Sequence, residues 1–424
     1  METLTHPPLL SPTGKSLAQL KRDLYTAQLR KKLTALALIA PLAIFLLLTF
    51  IAPIGMLLIR AVDNPEVAST LPKTVAALSQ WDRKTLPGDA AYQALAEDLG
   101  GAKQANTAGT LARRLNAEMP GARSIVMKAA RAMPLQDEQG KALSPAATRA
   151  ALTEMDEEWG KPQLWQLIAK NSAPYSPYYL LTSLDLQQDS TGAIHAVDAD
   201  QSVFLKIFAR TFWISLTVTI SALLLAYPLA YQFSLMSERR ANLCMILVLI
   251  PFWTSVLVRV AAWIVLLQSE GLVNKTLMEL GLTRAPLELL FNRVGVCISM
   301  THILLPFMIL PLYSVMKSIP VSYMRAAISL GSHPFAAFWR VYVPQTFPGI
   351  AAGGLLVFIL AIGYYITPAL LGGPNDQMVS YYVAYFTNVT INWGMACALG
   401  SLLFIATLVL YNCYRRFTKA SVSF

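Results

Sequence analysis

The residues able to do chemistry are few, and most lie in apolar surroundings. Arg259 falls in the run PFWTSVLVRVAAWIVLL (251–267). A guanidinium is costly in hydrocarbon, so it either serves a function or pairs with a carbonyl or carboxylate inside a bundle. Trp253 and Trp263 stand ten residues apart, nearly on one helical face at about 100° per residue. They fit ordinary packing, and they also fit a path for a cationic or aliphatic solute through cation–π contact. Tyr364, Tyr365 and Thr367 sit where Gly363 and Pro368 should distort a helix, and distorted helices border many transporter sites. Packing between helices is the alternative reading of those three. Glu270 and Asp376, at the ends of apolar runs, are the nearest carboxylates to these positions.

Other chemistry is weakly represented. His302 and His333 have no partners at metal-ligand spacing and read as non-catalytic. Gly14-Lys15-Ser16 imitates the end of a phosphate-binding loop, but Leu9 occupies the position of its first glycine and no strand precedes it. Cys244, Cys297, Cys397 and Cys413 lie in or at the ends of apolar runs and read as small core hydrophobes. No nucleophile–base set stands out. The chain is therefore expected not to be an enzyme and to bind no cofactor or metal.

The elements carrying these residues are spans. The 424 residues are 55% hydrophobic and 14% charged, with a mean hydropathy of +0.48. A soluble domain carries about a quarter charged residues, so a water-facing surface is excluded for most of the chain. Six runs reach the roughly 20 apolar residues a bilayer requires: 33–59, 211–235, 243–267, 294–316, 349–371 and 395–414. The first exceeds a signal h-region and follows a polar tail (1–32), which argues against a cleavable signal peptide.

Charge placement sets the expected orientation. Residues 61–205 hold 13 Lys/Arg and 17 Asp/Glu, leaving 21 basic and 7 acidic residues elsewhere. The net +10 thus surrounds the spans, which argues for lipid and against nucleic acid. Lys15, Lys21, Arg22, Arg30, Lys31, Lys32, Arg239, Arg240, Lys317, Arg325, Arg340, Arg415, Arg416 and Lys419 fall on one side of a six-span chain. Both termini, including the tail 415–424, are then cytoplasmic, and 60–206 lies outside. That insertion reads as short amphipathic helices, such as Tyr92–Leu99 and Thr110–Met119. Leu95, Leu99, Leu111, Leu115, Ile125, Trp159, Leu164, Trp165, Leu167 and Ile168 could close a small core. A disordered linker is the alternative.

The polar loop 317–348 carries the most information. Ala326 and Ala327 precede Gly331, which can turn a helix sharply, and Pro334 can begin the next one. Phe335, Phe338, Trp339 and Tyr342 then form an apolar stripe beside Arg340. Two short angled helices of this kind suit docking into a groove or resting on lipid.

The loop resembles the EAA loop of bacterial ATP-binding-cassette importer permeases: Glu-Ala-Ala, three residues, Gly, nine residues, Ile-x-Leu-Pro. Ala326, Ala327, Gly331 and Pro344 match it, Val341 and Val343 replace Ile and Leu, and Arg325 stands where the family has Glu. Residues 251–267, 271–282, 304–316 and 354–374 are similar to the spermidine/putrescine permease group, the branch resembling its B subunit. The resemblance implies an all-α, type I importer permease (MetI-like) fold with six transmembrane helices in a bacterial inner membrane. The first helix would be 33–59 and the five-helix core 207–414, with 60–206 as a periplasmic helical insertion foreign to the family pattern. It implies Arg325, Ala326, Ala327, Gly331, Val341, Val343 and Pro344 as the ATPase-coupling set. The implied partners are a second permease (a heterodimer), two ATPase subunits holding ATP and Mg, and a periplasmic substrate-binding protein. The implied cargo is polyamines or related small aminated solutes, with Trp253, Arg259, Trp263, Glu270, Tyr364, Tyr365 and Asp376 along the path.

Two other classes compete. An ion-gradient-driven secondary transporter should show intramembrane acids, which the spans lack. A membrane-anchored sensor binding ligand at 60–206 should carry an output domain, and the stretch after Tyr414 is short for one.

Overall fold

The computed structural model describes residues 17–137, 139–189 and 192–421. Lys15 and the Gly14-Lys15-Ser16 triplet lie outside them. The chain divides into two compact units, Met1–Ile59 and Arg60–Phe424.

The first unit is a helix from Leu17 to Leu46 that widens into a π turn at Leu47–Ile51 and resumes at Ala52. Its residues are apolar all round and none of its apolar window is buried, as expected where the surrounding solvent is lipid. The π turn ends two residues before Pro53, and a second π turn, Phe338–Tyr342, ends two residues before Pro344. In both cases the proline lacks the N–H an α-helical ladder needs, and the widened turn accommodates the loss.

In the second unit, residues 61–203 build a small domain. Helices Pro65–Thr70, Pro72–Leu78, Pro145–Met155 and Pro162–Lys170 all begin on proline, whose fixed φ and missing N–H suit a first turn. They surround Asp89–Gln104, Ala108–Glu118 and Ala122–Ala132. All ten apolar residues singled out from the sequence lie in one core. At its centre Tyr92 and Trp165 both donate hydrogen bonds to the Trp159 carbonyl, at 2.7 and 3.1 Å. An antiparallel hairpin, Leu186–Gln188 with Ile194–Ala196, departs from the all-helical expectation. Asp189 and Gly192, with Asp189 accepting from Ala193, supply the turn chemistry that makes it.

Asp185 joins this domain to the membrane part. Its carboxylate accepts from the N–H groups of Val203, Phe204 and Leu205 at 2.7–3.1 Å and from the Ser202 hydroxyl. It thereby satisfies donors that helix Phe204–Leu235 leaves free at its start. Burial pushes this carboxyl up, but the four hydrogen bonds outweigh burial and hold it below the usual carboxylate value.

The membrane part packs Phe204–Leu235, Arg293–Ser318 and Val343–Gly363 against one another. Val218, Ala222, Ala226 and Ala230 recur every four residues, are fully buried, and let the backbones approach closely. Six helices among the described residues are long and apolar enough to cross a membrane.

Three boundaries differ from the sequence expectation. The third span is not the continuous 243–267: helix Glu238–Leu249 passes into a 3-10 turn at Ile250–Trp253, Thr254 and Ser255 are extended, and a new helix starts at Val256. Pro251 cannot continue the hydrogen-bond ladder there. The apolar stretch is instead Val256–Glu279. The fifth span is Pro334–Gly363 rather than 349–371, because the helix ends at Gly363 and restarts at Ile366. The last helix runs to Ser421, through most of the segment expected as a tail.

Candidate functional site

The loop 317–348 is two short helices around one turn. Val321–Ser329 ends on Leu330. The N–H of Gly331 then donates to the Ile328 carbonyl at 2.9 Å, and that of Ser332 to the Ala327 carbonyl at 3.1 Å. This paired closure is a Schellman motif and needs a left-handed residue after the cap. Gly331 supplies it with φ of +90°. A Cβ on Gly331 would meet nothing within 4 Å, so glycine is required by backbone conformation and not by close approach of the two helices. The next helix, Pro334–Ala337, is capped by His333, whose Nδ1 accepts from the Phe335 N–H.

The aromatic stripe of this loop divides into two faces. Phe338 and Tyr342 turn inward, and Tyr231 packs edge-on against both at 5.3 and 5.2 Å. Tyr227 reaches Thr346 at 3.2 Å. Phe335 and Trp339 turn outward, and Leu330 at the turn is 89% exposed. The inner pair anchors the loop on helix Phe204–Leu235, while the outer residues form an uncovered apolar surface. Arg325, Ala326, Gly331 and Pro344 are exposed beside it, and Ala327, Val341 and Val343 are half-buried. The residues nominated for coupling are thus presented by a rigidly closed turn on a firmly anchored base.

Inside the membrane part the nominated residues separate. Trp253, in the 3-10 turn, is 91% exposed and shares no helix with Trp263. The one-face reading of these two tryptophans is therefore corrected by the break at 254–255. Trp263 instead donates from Nε1 to His302 Nδ1 at 3.3 Å, with ring centroids 5.4 Å apart. Arg259, one turn before Trp263, lies close enough for its charge to act on both His302 and Tyr364. Tyr364 occupies the interruption between Gly363 and Ile366, which the sequence marked as a distortion. Helices Val256–Leu267, Arg293–Ser318 and Ile366–Leu371 pack together and gather these groups.

The gathered polar atoms are incompletely satisfied. Arg259 Nε and Thr301 Oγ1 are buried without hydrogen-bond partners. An unpartnered buried polar atom costs about 1–3 kcal/mol. Tyr365 is exposed rather than gathered. Glu270 is exposed on the loop after Leu267. Asp376 is buried and accepts from Arg293 Nε at 3.0 Å, so its charge is already matched. No sequence pattern signals that pairing, since 83 residues separate the two. Nor does any pattern reveal His302, because a lone histidine in an apolar helix looks the same whether or not a tryptophan faces it.

A bundle of candidate spans with a turn closed at Gly331 and a helix interrupted at 364–365 fits a membrane transport component. The chain belongs to the family of binding-protein-dependent transport system inner membrane components, whose model matches residues 203–421. It is accordingly a multi-pass inner-membrane permease, and the match begins just where the insertion ends. The spermidine/putrescine transport system permease protein PotB of Haemophilus influenzae is 36% identical over 214 residues, 49% of this chain and 75% of that protein. PotB of Escherichia coli is 29% identical over 218 residues, 51% of this chain and 79% of its own length. A bacterial alginate ABC transporter, solved in complex with alginate pentasaccharide-bound periplasmic protein, superposes with a TM-score of 0.41 at 17% identity, over 51% of this chain and 78% of that one.

Proposed function

We propose that this chain is a transmembrane permease subunit of an ATP-driven importer for polyamines or related small aminated solutes. The observation that carries the reading is its 36% identity to a spermidine/putrescine permease over 214 residues. The geometry adds support: the turn closed at Gly331 offers Leu330, Phe335 and Trp339 as knobs for an ATPase groove. Two ATPase subunits holding ATP and Mg dock there. A second permease completes the pathway, and a periplasmic binding protein delivers solute on the side of the insertion, with both termini cytoplasmic. ATP-driven closure of the ATPases moves the loops and switches access.

A second substrate reading is favoured by one observation. Arg259 has no carboxylate partner among the described residues, and its Nε is unbonded. Of the two nearby carboxylates that the sequence nominated, Glu270 is exposed on the loop after Leu267 and Asp376 is taken by Arg293. An ω-amino acid would offer its carboxylate to Arg259 and its ammonium to the ring of Trp263. Competition uptake in a strain carrying the whole system separates the two. Excess putrescine should abolish uptake of the native solute. If putrescine leaves it untouched while an aminoalkanoate abolishes it, the polyamine assignment is wrong.

A further inference from the structure

A cavity of about 750 Å³ lies where the insertion meets the start of the last membrane helix. Its insertion wall is basic: Arg113, Arg114 and Arg123 line it together with Arg60, against two lining carboxylates, Asp63 and Glu66. Its opposite wall is the segment Phe386–Gly394, with Ile391 and Trp393 both about half exposed.

Arg114 is the built part of this site. It is 2% exposed. Its Nε donates to Asn64 Oδ1 at 2.6 Å, its Nη2 donates to Asn171 Oδ1, and Nη2 also pairs with Glu118 at 3.0 Å. The guanidinium lies over the rings of Tyr178 and Tyr179 at 4.5 and 5.2 Å. Lys170 neutralises the other oxygen of Glu118 at 2.9 Å. Yet Nη1 of Arg114, a residue of the cavity wall, is buried with no hydrogen-bond partner, as is Oε2 of Glu66 on the same wall. A buried guanidinium held this firmly with one nitrogen unsatisfied implies a missing acceptor.

The cavity is also fixed in shape and in depth. The Tyr179 ring rests directly on Gly394: a Cβ there would come within 2.2 Å of the ring. Arg60 ends the first apolar stretch in sequence, and Trp393 begins the last candidate span. Both residues mark a membrane–water boundary, where Trp and Arg are commonly found.

We propose that this cavity binds the headgroup of an anionic phospholipid from the leaflet on the insertion's side. The phosphate meets Arg114 Nη1 and the exposed guanidiniums of Arg113 and Arg123, and an acyl chain lies along Ile391 and Trp393. The lipid would tie a domain outside the family pattern to the bilayer and to the last helix. An inorganic or soluble phosphate shares the headgroup chemistry but leaves the apolar wall unused, which is why the lipid is favoured.

The test uses the full-length protein in uncharged detergent, with bound lipid counted by native mass spectrometry during titration with phosphatidylglycerol, phosphatidylcholine or inorganic phosphate. Arg113 and Arg123 are exposed, so Arg113→Gln with Arg123→Gln should fold. Arg123→Gln alone carries the test if the pair does not reach the membrane. Phosphatidylglycerol should bind the natural protein in preference to phosphatidylcholine. Affinity should fall roughly fivefold for each arginine removed, the usual worth of one basic residue at an anionic surface. Lys84→Gln with Lys141→Gln, the same charge change away from the cavity, should leave binding intact. The proposal is overturned if phosphatidylcholine binds equally, if inorganic phosphate displaces the lipid, or if both double variants weaken binding alike.

Discussion

Replacing Gly331 gives the sharpest test of how the docking loop works. A residue with a Cβ pays about 1–2 kcal/mol to hold a left-handed backbone, and Gly331 holds φ of +90°. The two hydrogen bonds that close the turn, from Gly331 and Ser332, depend on that conformation. A penalty of this size lowers the population of the closed turn about 5- to 30-fold relative to its alternatives. Because no atom lies within 4 Å of a Cβ at this position, Gly331→Ala and Gly331→Leu should suffer nearly alike. Gly331→Asn should retain more activity than either, since asparagine tolerates the left-handed region. The assay is solute uptake and solute-stimulated ATPase activity of the complete transporter, normalised to the amount of permease in the membrane. Normal activity of the alanine variant refutes the backbone argument. A leucine variant far worse than alanine would relocate the cause to side-chain bulk at a docked partner.

Asp185→Asn should lower the melting temperature of the detergent-solubilised protein, because a hydrogen bond to a charged acceptor is worth about 1 kcal/mol more than a neutral one. The natural carboxyl is held below its usual value, so its contribution is fully present above about pH 4 and is lost as pH falls through the lowered folded value. Melting curves from pH 7 to 3 should therefore converge for the natural protein and the asparagine variant at the acid end, and parallel curves would exclude the cap. A reporter active only in the periplasm should work when fused at position 140 and stay silent at 332, and the opposite pattern would invert the membrane orientation. Arg325→Glu, which restores the family residue at an exposed position, should be tolerated in uptake, and a marked loss would show that the arginine itself makes a contact at the docked ATPase.

What the sequence made legible follows the range of the physics involved. The bilayer demands long apolar runs, so the spans could be counted from composition alone, and amphipathic spacing placed Leu95, Leu99, Leu111 and Leu115 in the insertion core for the same local reason. Gly331 was legible by residue type, although its reason proved to be backbone conformation and not helix contact. Periodicity failed at Trp253, because a ten-residue face holds only along an unbroken helix and Pro251 breaks this one. Pairings across the fold were beyond reach in principle. Arg293 holds Asp376 across 83 residues, a separation that no local pattern spans. His302 looked inert, yet it receives Trp263 and feels Arg259. Hydropathy and spacing describe one helix at a time, whereas the surroundings of Arg259 are made where three helices meet. Its unpartnered Nε could be recognised only after packing had supplied partners to its neighbours and withheld one from it.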